Sequence, residues 1–134
     1  MKAILKTDGG SRGNPGEGAA GALLFNTNNE LLNFNGEYLA NTTNNNAEYQ
    51  ALVMGLKMAL KAGVTELACY LDSELIVKQL NGEYKIKDQN IKNIKLKIDN
   101  LLPGFSSITF THIPREENRL ADRLVNLILD EHQR

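Results

Sequence analysis

Between residues 44 and 71 the apolar periodicity of the chain changes twice, and that change limits the possible folds more than any other feature. Leu52, Leu56, Ala59 and Leu60 recur on one face of a helical pattern that follows Asn44, Asn45 and Asn46, and Gly63 stands where a C-terminal cap belongs. Glu66–Leu71 then reads as a short buried strand ending at Asp72. A strand reached through a helix returns to the sheet by a right-handed crossover, so the sheet is expected to contain parallel pairs.

The rest of the chain supplies partners for that unit. Ala3–Leu5 starts a strand that runs through Lys6 and Thr7 to Asp8 and into a glycine-rich turn, DGGSRGNPG, at 8–16. Residues 19–26 and 30–38 read as a hairpin joined by NTNN. A short helix is expected from Ser73 to Leu80 and an amphipathic one from Asp88 to Leu102, with Ile91, Ile94 and Ile98 on its stripe. Ser107–His112 alternates as a strand, IPREEN at 113–118 is a loop, and a last helix over 117–131 is expected to bury Leu120, Leu124, Leu127 and Ile128. The order is three strands, a helix, a strand, two helices, a strand and a helix. An α/β fold, a mixed sheet with helices on its faces, is the natural packing.

Composition narrows the class. One domain over 1–134 is expected, since 134 residues suffice for one core. No apolar run approaches the roughly 18 residues that span a membrane, and the N-terminus has no secretory h-region, so a cytoplasmic protein with no membrane partner is expected. Cys69 has no second cysteine to pair with and reads as a buried core thiol. A net charge of −1 predicts no strong general attraction to polyanions, so a nucleic-acid ligand would need local patches or bound cations.

Four carboxylates carry the chemical interest, although each has a plain structural explanation. Asp8 before glycines is a common turn residue. Glu48, three residues after Asn45, fits a capping box with Asn45 as N-cap. Asp72 before Ser73 suits the start of a helix, and Asp122 is expected on the solvent face of the last helix. Gly16, Gly18 and Gly21 match the GxGxxG fingerprint, but the apolar stretch after them is too short for the helix that fingerprint requires. Taken together the acids read differently. The carboxyl ends of parallel strands converge on one edge, and carboxylates gathered there repel one another unless protonated or bridged by hard cations such as Mg²⁺.

DGGSRGNPG at 8–16, TNNNAEYQAL at 43–52, LDSELIVKQLNGEYKIK at 71–87 and HIPREENRLADRLVN at 112–126 resemble, in order and spacing, the signatures of the type 1 ribonuclease H family. The resemblance implies a five-stranded mixed sheet of order 3-2-1-4-5 flanked by helices. It also implies an endonuclease that cuts the RNA strand of an RNA/DNA hybrid and leaves 5′-phosphate and 3′-hydroxyl ends. By motif position Asp8, Glu48, Asp72 and Asp122 match the metal-binding carboxylates of the family, which hold two Mg²⁺ ions, with Mn²⁺ as the expected substitute. Asp8 would be shared by both ions, Glu48 and Asp72 would hold one, and Asp122 the other. His112 matches a loop histidine associated with proton transfer or product release. Gly9, Gly10, Ser11, Arg12, Asn14, Asn44, Asn45 and Glu74 match substrate-facing positions, and Thr43 a contact to a DNA phosphate. RNA is told from DNA by its 2′-hydroxyls, which backbone and small polar groups reach across a wide minor groove.

The chain also departs from the best-known members. Their basic protrusion, rich in tryptophan and lysine, has no counterpart containing Trp here; Lys78, Lys85, Lys87, Lys92, Lys95 and Lys97 fall in the equivalent stretch. Glu74 stands where many relatives have an RNA-reading glutamine. Arg12 resembles a subgroup without the protrusion, some of whose members attack double-stranded RNA, so the resemblance leaves open whether that duplex is a substrate beside the hybrid. A monomer is expected. The alternative reading is a non-catalytic nucleic-acid binding module of the same fold, which would gain nothing from concentrated negative charge facing phosphates.

Overall fold

The computed structural model describes residues Met1–Arg134. Strand β1 (Lys2–Gly13) leads into β2 (Gly16–Phe25) and β3 (Leu31–Thr42), and helix α1 (Asn44–Lys61) crosses over to β4 (Glu66–Leu71). Helices α2 (Glu74–Leu80) and α3 (Gln89–Leu101), strand β5 (Ser107–His112) and helix α4 (Arg119–His132) complete the order read from periodicity. The five strands form one sheet, β3-β2-β1-β4-β5. β1, β2 and β3 pair antiparallel, while β4 is parallel to both β1 and β5. This is the expected 3-2-1-4-5 order, the ribonuclease H-like α/β arrangement.

The two faces of the sheet are unequal. On one face Leu5, Leu24, Leu52, Leu56, Ile76 and Ile98 belong to a single apolar cluster built with α1 and α3, and Cys69 is buried in it as expected. On the other face α4 closes only two small clusters, one of Ala19, Val125 and Leu129 and one of Leu23, Phe25 and Ala121. Because side chains alternate along β1, Ala3 and Leu5 go to the thick core, whereas Ile4 packs with the thin one. Lys6 lies over the Phe25 ring on that same thin face. Asp8, two residues further, lines a cleft with Val125 and Leu129 of α4.

Three local expectations are corrected. The glycine-rich segment is mostly strand: pairing of β1 with β2 continues from Asp8 opposite Gly21 to Gly13 opposite Gly16, leaving only Asn14 and Pro15 as the turn. The glycines serve close approach instead. A Cβ on Gly9 would lie 2.3 Å from the Ala47 carbonyl, so only glycine lets α1 settle on β1 there. Gly16, Gly18 and Gly21 lie in β2 and open no helix.

The N-cap of α1 is Thr43, whose hydroxyl accepts from Asn46 N at 3.2 Å, rather than Asn45. The chain leaves β3 at Thr42 and is already extended at Thr43, which starts the helix before Asn45. Glu48 therefore lies beyond the first turn and outside any capping box. In α4 the buried residues are Ala121, Val125 and Leu129, whereas Leu120 and Leu127 are 57% and 59% exposed. The helix is turned so that Leu124 and Ile128 fit over Gly21 and Gly36, where a Cβ would lie 3.1 Å and 2.5 Å from them. That rotation brings Asp122 off the expected solvent face to the edge of the cleft.

The contact at Gly9 sets a stability prediction. Gly9→Ala forces backbone against backbone and is expected to destabilise the fold by about 2–3 kcal/mol in urea unfolding, in the range for overpacked sites. Gly63→Ala, at a φ of +82° with nothing within 4 Å, is expected to cost only about 1 kcal/mol of backbone strain. Equal losses at the two positions would contradict the close approach of α1 to β1.

Candidate active site

The carboxylates are placed by the point at which two parallel strands part. β1 and β4 pair from Lys2 opposite Glu66 to Lys6 opposite Tyr70. Two residues beyond that last pair lie Asp8 and Asp72, at the same level of the sheet. β1 continues from there with β2 alone, and β4 ends at Leu71 and turns into α2. Ser73, not Asp72, caps α2 with its hydroxyl, accepting from Ile76 N at 3.3 Å, so the Asp72 carboxylate is free of that duty. Glu48 arrives from α1, drawn in by the contact at Gly9. Asp8, Glu48 and Asp72 each offer a carboxylate oxygen, and these oxygens lie within 4.8 Å of one another.

Asp122 occupies the rim of the same cleft rather than the three-acid cluster. Arg115 approaches its Oδ1 at 3.4 Å, and Asn126 Nδ2 donates to its main-chain oxygen at 3.0 Å.

Burial and like charge act on the cluster together. Burial, then the charges of Asp72 and Asp122, push the Asp8 carboxyl up to about 7, against the Gly9 amide and Arg115. Burial, then Asp8 and Asp72, push Glu48 up to about 8, against a hydrogen bond with Ser73. Hard oxygen donors that resist ionising beside one another fit a divalent cation, which favours all the charged forms at once. A buried acceptor alongside supports the fit: Asn118 Oδ1 has no hydrogen-bond partner in the protein, and a water carried by a hydrated cation is a donor suited to it. The cluster of Asp8, Glu48 and Asp72 could thus coordinate a divalent metal.

The remaining predicted residues fall into separate groups. Gly9, Gly10, Ser11, Arg12 and Asn44 line the acid cleft. Asn44 Oδ1 accepts from Ser11 N at 2.8 Å and from Ser11 Oγ at 3.2 Å, while Asn14 Oδ1 accepts from Asn44 N at 3.0 Å. These bonds lock the strand rim to the start of α1. Asn14, Thr43, Asn44 and Asn45 also line a neighbouring groove with Gln79 and Lys87. Arg12 turns toward α4, with contacts to Asp130 at 2.7 Å, Gln133 at 2.6 Å and Asn126 at 3.2 Å.

Glu74 and His112 lie outside the acid cleft. Glu74 is ion-paired with Lys78 at 3.0 Å, and Lys78 first, with His112 a smaller influence, holds its carboxyl below the usual range. His112 is exposed at the end of β5, opposite Leu71. Of the lysines that stand in for a basic protrusion, Lys78 and Lys95 are spent on ion pairs with Glu74 and Asp99. Lys87 faces the groove.

Two residues of the site were not singled out from sequence. Arg115 lines the acid cleft, although in IPREEN it reads as one loop cation among charged neighbours. Asn118 is 1% exposed and donates to Thr7 O and to Asp72; its sequence signal is that of a helix cap.

Comparison with known proteins agrees with this arrangement. The reverse transcriptase-like family profile matches residues 6–128. The chain is 35% identical over 146 residues to ribonuclease H of Legionella pneumophila strain Corby, covering 98% of this chain and 99% of that protein. It is 37% identical over 131 residues to the bifunctional protein Rv2228c of Mycobacterium tuberculosis, covering 97% of this chain but 36% of that protein. The solved N-terminal RNase H domain of that mycobacterial protein superposes with a TM-score of 0.95 at 36% identity, covering 98% of this chain and 95% of the other. LC11-RNase H1, solved in complex with an RNA/DNA hybrid, gives 0.94 at 37% identity, covering 98% and 99%. The chain belongs to the ribonuclease H family, specifically its ribonuclease H1 branch. No helix is long and apolar enough to cross a membrane.

The raised carboxyls give a signed pH prediction. Asp8 and Glu48 bind protons more tightly folded than unfolded, so their contribution to stability is complete below their ordinary values of 3.8 and 4.5 and is lost as pH rises through about 7 and 8. The metal-free melting temperature is expected to fall between about pH 5 and pH 8, less so in Glu48→Gln, and the gain from added Mg²⁺ to be larger at the higher pH. An identical pH dependence in Glu48→Gln, with no Mg²⁺ effect at either end, would contradict the account of the cluster.

Proposed function

We propose that the protein is a metal-dependent endoribonuclease that hydrolyses the RNA strand of RNA/DNA hybrids, leaving 5′-phosphate and 3′-hydroxyl ends. The observation that carries this reading is the meeting of Asp8, Glu48 and Asp72 within 4.8 Å where β1 and β4 part, in a chain of the ribonuclease H family. Two Mg²⁺ ions, replaceable by Mn²⁺, are the implied cofactor; Asp8 would be shared, Glu48 and Asp72 would hold one ion, and Asp122 the other. Bound there, they supply charge stabilisation to the attacking and leaving oxygens of a phosphodiester and acidify a water.

The chain itself does the positioning. Asp8 and Asp72 are fixed by rigid strands, and Glu48 by the packed start of α1. Gly9 and Gly10 keep the rim free of side chains, so main-chain groups can approach an RNA minor groove, with Ser11, Asn14, Asn44 and Asn45 offering polar atoms to 2′-hydroxyls. Thr43 and Lys87 in the adjoining groove suit a DNA-strand phosphate. Arg12 borders the RNA side, and Glu74, already paired with Lys78, reads it less firmly than an amide would. His112, at the end of β5 outside the acid cleft, is assigned to proton transfer or product release. Arg12 and the lack of any tryptophan support a likeness to the subgroup without the basic protrusion, some of whose members also attack double-stranded RNA. The protein acts as a monomer in this reading.

LC11-RNase H1, solved with an RNA/DNA hybrid, supports the substrate class by likeness. A binding module of the same fold fits the site less well, since it would keep repelling carboxylates against phosphates to no benefit.

Asp8→Asn removes one charge from the cluster without changing its shape. It is expected to keep the fold and hybrid binding and to lose cleavage by about a thousandfold or more, ~4 kcal/mol of transition-state stabilisation. Purified Asp8→Asn protein that cleaves at the wild-type rate would overturn the proposal.

A further inference from the structure

The starts of the four α-helices follow a rule with one exception. Thr43, Ser73 and Asp88 each cap their helix with a side-chain oxygen. Asn118, at the start of α4, belongs to a residue type favoured at that position, yet its side chain makes no cap hydrogen bond. Its amide is used elsewhere. Nδ2 donates to Thr7 O at 2.9 Å and to Asp72 Oδ2 at 3.1 Å, and the residue is 1% exposed. Its main-chain oxygen meanwhile accepts from Asp122 N at 3.1 Å.

One residue therefore touches the strand immediately before Asp8, the carboxylate of Asp72 and the helical turn that carries Asp122. Asn118 Oδ1, on the same planar amide, is buried and accepts from no group of the protein. Both Nδ2 acceptors are oxygens, which fixes the amide orientation and leaves Oδ1 as the unmatched atom. A loop residue serving only as a helix start would cap the helix and face solvent.

We propose that Asn118 is a positioning residue for the cation site: it sets the spacing of Asp8, Asp72 and Asp122 and offers Oδ1 to the hydration shell of the bound ion. This rests on the reading of the cluster as a divalent-cation site. Groups that orient metal ligands typically matter about 10- to 100-fold in metal affinity or activity, so the effect is measurable. A residue in this role acts on ion binding and turnover and leaves hybrid affinity alone, because none of its contacts faces the asparagine-rich rim or the Lys87 groove.

The test compares wild type with Asn118→Ala and with Asn118→Ser, which keeps a good helix-start residue but cannot span Thr7 and Asp72. Mg²⁺ affinity is measured by isothermal titration calorimetry, hybrid affinity in EDTA, and kcat and KM in Mg²⁺. The expected result is a Mg²⁺ Kd raised about 10- to 100-fold and a reduced kcat at saturating hybrid in both variants, with hybrid affinity within about twofold of wild type. Variants that are only less heat-stable, with wild-type Mg²⁺ affinity and kcat, would overturn it. Failure of both to fold would do so too, making Asn118 purely structural. Wild type that binds no Mg²⁺ removes the cation-site reading and the proposal with it, whereas wild type that binds Mg²⁺ with unaffected variants removes the Asn118 role alone.

Discussion

Mutual repulsion among Asp8, Glu48 and Asp72 is the constraint on which the rest of the structure depends. Three half-buried carboxylates with oxygens within 4.8 Å are unfavourable in water-poor surroundings, and two of them resist ionising until pH is near or above neutral. A fold holds such a cluster only if its elements are packed too firmly to move apart. That rigidity comes from the thick core: Leu5 on β1 and Leu52 and Leu56 on α1 are fully buried in the same cluster, so the strand bearing Asp8 and the helix bearing Glu48 move as one body.

The thin face does different work. α4 buries only small apolar clusters against the sheet, and its C-terminal end is secured by polar contacts. Arg12 binds Asp130 and Gln133, Gln133 donates to Glu17, and His132 stacks on Tyr38 with ring centroids 3.6 Å apart. These contacts join α4 to β1, β2 and β3 beside the cleft. Fixed at that end by polar contacts and at the other by Asn118, the helix carries Asp122 at a set position on the rim. The rigid side thus presents the clustered acids, and a polar-braced helix brings the remaining one.

Much of this was legible in the sequence because it depends on periodicity and chain order. The crossover from β3 through α1 to β4, the hairpin, the α3 stripe and the sheet order follow from apolar spacing and from the ordered motifs. The meeting of Asp8 and Asp72 followed from strand ends converging at one edge. What was not legible depended on contacts between distant segments. The glycine-rich segment 8–16 reads as a turn because composition cannot show that Ala47 presses on Gly9 and that β2 continues the ladder. The buried face of α4 is not legible from its own spacing because Leu124 and Ile128 fit over Gly21 and Gly36, far earlier in the chain, leaving Leu120 and Leu127 in solvent. Asn118 looks like any helix cap until its amide is seen reaching Thr7 and Asp72.

The most direct measurement is cleavage of a panel of end-labelled RNA/DNA, RNA/RNA and DNA/DNA duplexes by the purified protein in Mg²⁺, in Mn²⁺ and in EDTA. The account predicts that the RNA strand of the hybrid is cut in either metal to give 5′-phosphate products, that EDTA abolishes the reaction, and that duplex DNA is untouched. Cleavage that persists in EDTA, or a folded, Mg²⁺-binding protein that leaves the hybrid intact, would contradict it.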